Sequence, residues 1–252
     1  MNDLAGRHAF ITGGGSGIGL AAAQALAARG AKLTLAARNV TRLEDAAAKL
    51  GAHAVGCDVT SEASIGEAIA AARAKHGPIH ILVNNAGTAP SAPFRDTTLE
   101  MWNQVLSTNL TGAFLCTHAA LPDMLDAGWG RIVNVGSVCS LKGYAYVSAY
   151  CASKHGMLGL TRALAHEVAK RGVTVNVVCP GYVETEIVAN ATQHITAKTK
   201  LSEQEALDSI IRFNPQGRLI EADEVGSAIS WLCGDGAKSV NGAALPITGG
   251  EI

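Results

Sequence analysis

Apolar residues fall in short runs bounded by turn formers, and each run is followed by a longer segment whose apolar positions recur at helical spacing. The runs at 8–11, 32–35, 52–55, 79–83, 131–135, 173–178 and 243–247 predict strands. Several are apolar enough to be buried on both faces. The Ala- and Leu-rich segments 18–29, 40–50, 61–76, 99–121, 148–171 and 221–233 predict helices. A βα unit repeated about six times implies an α/β fold, a parallel sheet with right-handed crossovers and helices on both faces. No Pro/Ser-rich or charged linker divides the chain, so a single domain is expected over 1–252. One segment breaks the rhythm: no strand is evident between 178 and 243. Residues 184–214 can form one or two helices overhanging the carboxyl ends of the strands, the position of a substrate lid.

Composition narrows the class. Only 16% of the 252 residues are charged, against a usual ~25%, which excludes a disordered or heavily solvated chain. Twenty Lys and Arg against 21 Asp and Glu leave a net charge of −1, with no basic field for nucleic acid or anionic lipid. The uncharged stretches 9–28 and 101–122 are broken by glycines and Gln24, and by Asn103, Gln104, Asn109 and His118, so no transmembrane helix is expected. The start, Met1-Asn2-Asp3-Leu4, lacks a secretory signal, which makes the cytoplasm the expected compartment. Six cysteines (57, 116, 139, 151, 179 and 233) sit at no metal-ligand spacing. They are expected to be structural thiols, with no metal site.

The first predicted strand runs into Thr12-Gly13-Gly14-Gly15-Ser16-Gly17-Ile18-Gly19 and then directly into a helix. Glycine lets the backbone turn tightly and approach a pyrophosphate, whose charge is held by free N–H groups and the positive end of the helix dipole. At the first βα turn of a parallel-sheet pattern, this predicts dinucleotide binding by Gly13, Gly15, Ser16, Gly17, Ile18 and Gly19, over a merely flexible turn. A P-loop is excluded, since no Gly-Lys-Ser/Thr follows.

Tyr150 and Lys154 stand four residues apart at the start of a predicted helix. That spacing puts both on one face, about 6 Å apart along the axis. A phenol is a poor acid or base at pH 7, but a neighbouring ammonium favours the phenolate and lowers its pKa. The pair is suited to acid/base chemistry at a hydroxyl or carbonyl; the alternative is an ordinary solvated Tyr/Lys pair. Ser137, just beyond the fifth strand, can help hold a substrate oxygen. Asn109, a poor residue for a helix interior unless its side chain competes for backbone bonds, can anchor a water.

Together these residues resemble the short-chain dehydrogenase/reductase family over nearly the whole chain. The matching elements are Thr12 to Gly19, Asp58, Asn84-Asn85-Ala86-Gly87, Asn109, Ser137, Tyr150, Lys154 and Pro180-Gly181. The resemblance implies a doubly wound (Rossmann) sheet of about seven parallel strands, assembled as a homotetramer. By the same similarity Tyr150 is the general acid/base, and Lys154 binds the nicotinamide ribose and lowers the Tyr150 pKa. Ser137 polarises the substrate oxygen, and Asn109 anchors a water in the proton relay. Asp58 and Val59 contact adenine, Asn85, Ala86 and Gly87 line the cofactor cleft, and Val183 with Thr185, beyond Pro180 and Gly181, hold the carboxamide.

NAD-preferring relatives carry an acidic residue at the end of the second strand, where it bonds the ribose 2′-OH and repels a 2′-phosphate. Here Ala37 stands there, followed by Arg38, which can pair a 2′-phosphate. NADP(H) is therefore favoured over NAD(H), although Ser16 replaces the basic residue that some NADP relatives carry in the glycine motif.

The site chemistry interconverts a ketone and a secondary alcohol. The expected pocket wall, 88–94, 138–146 and the lid, is apolar with hydroxyls and aromatics, and Cys139, Tyr144 and Tyr182 are its candidate substrate contacts beside Ser137 and Tyr150. No cluster of Arg converges there for a sugar phosphate or a dicarboxylate. Local runs resemble 3-oxoacyl-thioester reductases and polyketide ketoreductases, and the leading expectation is reduction of a CoA- or carrier-protein-bound 3-oxoacyl thioester. Arg131 and Arg171 match positions that contact acyl carrier protein, although solvated surface arginines are the plainer reading. A secondary-alcohol dehydrogenase is the alternative. A catalytically silent nucleotide-binding subunit is disfavoured, because it has no need of a tuned phenol. Core packing or helix surface accounts for His118, His155, Trp102, Trp129 and Trp231.

Overall fold

The computed structural model describes residues 3–252. Its strands are β1 His8–Thr12, β2 Lys32–Ala37, β3 His53–Gly56, β4 Ile81–Asn84, β5 Gly130–Val135, β6 Val173–Pro180 and β7 Ala244–Ile247. They form one sheet in the order β3-β2-β1-β4-β5-β6-β7, and every pairing is parallel. The winding reverses between β1 and β4, which opens a crevice at their carboxyl ends. This is the parallel sheet that the alternation predicts, doubly wound as the family resemblance implies.

Within β1, Ala9 and Ile11 pack on one face and Phe10 on the other, the two-sided burial of a central strand. The first face is covered by α1 (Gly17–Ala27), α2 (Val40–Leu50) and α9 (Ala222–Leu232). The second is covered chiefly by α3 (Glu62–His76), α5 (Gly112–Asp126) and α6 (Ser148–Val168). The edge strand β7 carries Pro246, which has no N–H to offer a further strand.

Two expectations need correction. The continuous helix expected over 99–121 is divided: α4 (Leu99–Leu106) passes through a π-helical turn, Ser107–Thr111, before α5 begins. Arg131 is neither a solvated surface arginine nor an exposed contact, being only 3% exposed. Its guanidinium stacks 4.3 Å from the Trp129 ring centroid and donates to the carbonyl of Gly130 at 2.8 Å. Arg171 is exposed.

Beyond β6 the chain forms α7 (Glu186–Lys198) and α8 (Glu203–Ile211), the two helices the 184–214 pattern allows. All six cysteines are free. Among the described residues, no helix is long and apolar enough to cross a membrane.

Candidate active site

The turn after β1 is pinned to the exit of β4. The Thr12 hydroxyl accepts the N–H groups of Asn85 and Ala86, both at 3.0 Å, and the Asn85 amide donates to the carbonyls of Thr12 (3.0 Å) and Gly13 (3.1 Å). Gly13, at φ +65°, supplies the left-handed conformation of this turn. A Cβ on Gly19 would stand 2.3 Å from the Gly13 carbonyl oxygen, so the helix starts this close to the turn only with glycine there. Ser16 caps α1 without a side-chain hydrogen bond, and no acidic residue occupies the first turn. The positive helix end thus remains open to an anion. Across the crevice, Thr185 lies close enough that a Cβ on Gly17 would meet its methyl at 3.1 Å.

Arg38 is exposed beyond β2. Asp58 accepts hydrogen bonds from the Thr60 N–H (2.9 Å) and hydroxyl (2.7 Å). These bonds, with a smaller contribution from Arg38, hold its carboxyl below the ordinary value. Val59 is buried beside it. Bare backbone, an open helix N-terminus and an exposed cation past β2 fit a dinucleotide.

The crevice continues to α6. Lys154 Nζ lies 5.6 Å from the Tyr150 ring centroid and donates to the Val135 carbonyl at 2.7 Å. The two side chains therefore share one face. Ser137 sits two residues past β5, its hydroxyl accepting the Cys139 N–H (3.1 Å) while Ser140 Oγ accepts its own N–H (3.2 Å). Burial lowers the Lys154 ammonium to about 8. Burial also raises the Tyr150 phenol, with the thiols Cys139 and Cys151 adding to the rise and a hydrogen bond with Ser137 opposing it. The expected acidification of Tyr150 by Lys154 is not what this environment produces, because loss of water penalises both charged forms.

Asn109 lies inside the π turn. Its Oδ1 accepts the Thr88 N–H (2.8 Å), and its Nδ2 donates to the Thr88 carbonyl (2.9 Å) and to Ser153 Oγ (3.1 Å). Ser153 in turn donates to the Tyr150 carbonyl at 2.8 Å. Sequence reasoning missed Ser153, although its place three residues after Tyr150 puts it on the same helix face.

The outer wall is aromatic. The Ala92 N–H donates to the Tyr146 carbonyl at 2.8 Å, tying segment 88–94 to segment 138–146. Tyr146 pays for this link with a strained φ of +70°. Phe94 and Tyr146 are 80% and 66% exposed, a large apolar surface at the pocket mouth. Phe213, at the end of the lid segment, stacks on Tyr182 (5.8 Å) and meets Tyr144 edge-on (5.7 Å). Burial pushes the Tyr182 phenol and the Cys139 thiol up to about 12, so Cys139 offers packing and not a nucleophile.

A doubly wound sheet with an anion-ready first turn, continuous with a half-buried Tyr beside a buried Lys, defines a nucleotide-dependent oxidoreductase. The chain belongs to the short chain dehydrogenase family, whose sequence profile matches residues 7–217. It is 40% identical over 247 residues to acetoacetyl-CoA reductase of Shinella zoogloeoides, covering 98% of each chain. It is 37% identical over 257 residues to D-beta-hydroxybutyrate dehydrogenase of Cupriavidus necator, covering 99% of each. Its structure is similar to a point variant of actinorhodin polyketide ketoreductase crystallised with NADPH, with a TM-score of 0.94 and 38% identity, covering 100% of this chain and 98% of the other.

Proposed function

We propose that this enzyme reduces the keto group of a 3-oxoacyl thioester to a secondary alcohol, using NADPH. The observation that carries the reading is the buried Ser137 and Lys154 beside a half-buried Tyr150, the group opening onto an aromatic wall. The similarity to acetoacetyl-CoA reductase and to a ketoreductase crystallised with NADPH supports it. Arg38, next to Ala37 where NAD-preferring relatives carry a carboxylate that repels a 2′-phosphate, supports the choice of cofactor.

Gly13, Gly15, Ser16, Gly17, Ile18 and Gly19 would hold the pyrophosphate, Arg38 the 2′-phosphate, and Asp58 and Val59 the adenine. Asn85, Ala86, Gly87, Pro180 and Gly181 would line the cofactor cleft, Lys154 would bind the nicotinamide ribose, and Val183 with Thr185 would hold the carboxamide. When bound, the nicotinamide supplies the hydride that adds to the carbonyl carbon. Ser137 donates a hydrogen bond to the carbonyl oxygen, and Tyr150 gives it a proton as negative charge develops there. A phenol raised by burial is fully protonated at neutral pH, which is the state reduction needs. The Lys154 ammonium stabilises the tyrosinate left behind. The Asn109 amide hydrogens are committed to Thr88 and Ser153. A relay water would therefore be taken by its remaining lone pair or by a carbonyl released in the π turn. Segment 184–214 would act as a lid over the substrate, and the chain would assemble as a homotetramer in the cytoplasm.

The test follows oxidation of NADPH and of NADH with acetoacetyl-CoA, a cyclic ketone and an aromatic ketone. Acetoacetyl-CoA with NADPH is expected to give the highest kcat/KM, and activity confined to the non-thioester ketones overturns the substrate assignment. Tyr150→Phe should lower kcat by a factor on the order of 10²–10⁴ while leaving cofactor binding intact. Unchanged turnover would remove the assigned role.

A further inference from the structure

Glu251, in the segment after β7, is a carboxylate with a side chain only 5% exposed at the rim of the substrate wall. The Tyr144 phenol donates to its Oε1, and Lys142 Nζ pairs with the same oxygen at 3.0 Å. Its other oxygen lies 3.5 Å from where a Cβ on Gly181 would stand, beside Tyr182. Tyr144 and Tyr182 both pack on Phe213, and the Tyr182 phenol lies within the electrostatic field of Glu251. Arg212, over the Phe213 ring at 5.5 Å, is exposed. A buried negative charge thus stands at the wall, and it engages the lysine nearest to it.

We propose that Glu251 is a specificity-determining residue that excludes free 3-oxo acids. It holds Lys142 in a pair and keeps a second carboxylate beside Tyr144 and Tyr182, the wall that an acid's carboxylate would meet. The inference rests on the 3-oxoacyl reading of the site and deepens it. In a free 3-oxo acid the carboxylate is two carbons from the reacting carbonyl, so it enters the same wall. In an ester or thioester the corresponding carbonyl is neutral and meets only the Tyr144 and Tyr182 surface. Desolvating a carboxylate beside a buried carboxylate whose counter-ion is already taken is unfavourable, whereas desolvating an ester carbonyl there is not.

The experiment measures kcat and KM with NADPH for acetoacetate and for its neutral ethyl ester. Wild type should prefer the ester strongly. Glu251→Gln retains an amide oxygen for Tyr144 but releases Lys142. It should shift the ester-to-acid ratio of kcat/KM at least tenfold toward the acid, through a lower KM for acetoacetate. Adding Lys142→Met to Glu251→Gln should reverse most of that gain. Lys142→Met alone, at a side chain 36% exposed, should move the ratio further toward the ester. Wild type that reduces acid and ester equally well overturns the inference. An unmoved ratio in Glu251→Gln with ester turnover retained also overturns it, as does an unmoved ratio in Lys142→Met. A wild-type enzyme active on cyclic ketones but on neither the ester nor acetoacetyl-CoA instead overturns the 3-oxoacyl reading on which the inference stands.

Discussion

Lys154 is a buried ammonium whose hydrogen bond is to a neutral acceptor, the Val135 carbonyl at 2.7 Å. Among the described residues no carboxylate pairs with it, so burial is left to lower its pKa to about 8. The charged form is the one that stabilises tyrosinate, and it is lost as pH rises through that value. Reduction, read as kcat/KM of the free enzyme, should therefore fall as pH rises through about 8. Lys154→Arg, whose guanidinium stays charged, should move that limb upward. A flat profile from neutral to strongly alkaline pH would contradict this. Stability moves the other way: the unfolded chain binds the proton more tightly between about 8 and 10.5, so the fold gains stability with rising pH in that interval. The four-residue spacing of Tyr150 and Lys154 made their shared face legible in the sequence. The depth of burial, which decides the direction of both pKa shifts, is a property of the surrounding chain and was not.

At the scale of elements, the π turn between α4 and α5 positions the site. Asn109 there satisfies both backbone groups of Thr88, from the loop after β4, and reaches Ser153 on α6. Asn109→Leu leaves these groups without partners in a region closed to water, at about 1–3 kcal/mol for each orphaned group. The variant should lose at least about 2 kcal/mol in urea unfolding, with a lower midpoint and an unchanged slope. A loss below about 0.5 kcal/mol would show that the link is dispensable. The strands and the glycine turn were legible because their signals are local: apolar runs, and glycine where the backbone needs it. The π turn was not, since the 99–121 pattern stays helical throughout and the reason for its break, Thr88, lies on another element. Arg131 was misread on its charge alone, although Trp129, two residues before it, supplies the plane on which its guanidinium is buried. Glu251 acquires partners only through contacts with segments far away in sequence.

Across the whole molecule, the two ends of the sheet carry opposite electrostatic problems. The carboxyl ends are open to an anionic ligand, whereas the amino ends gather histidines from separate elements. His8, at the start of β1, is fully buried, with ring nitrogens bonded to the Gly77 carbonyl (2.9 Å) and the Thr34 hydroxyl (2.8 Å). Its ring centroid lies 5.2 Å from that of His76, which stands 6.2 Å from His53, while His80 Nδ1 accepts the His8 N–H at 3.3 Å. Burial lowers His8 to about 4, with His76 and His80 adding to the effect and the Gly77 carbonyl opposing it. His76 and His80 are themselves lowered by burial, and the charges of Lys32, Lys75 and Arg7 lower them further. Protonation therefore favours the unfolded chain between about 6.5 and about 4. The neutral-ring contribution of His8 is complete above 6.5 and lost as pH falls toward 4, an interval equivalent to about 3 kcal/mol. Urea unfolding should show that much stability lost from His8 alone over the interval, with further loss from its neighbours, and His8→Gln, though less stable at neutral pH, should lose correspondingly less on acidification. An NMR titration placing His8 near the ordinary histidine value would remove this account of the sheet's acid-sensitive end.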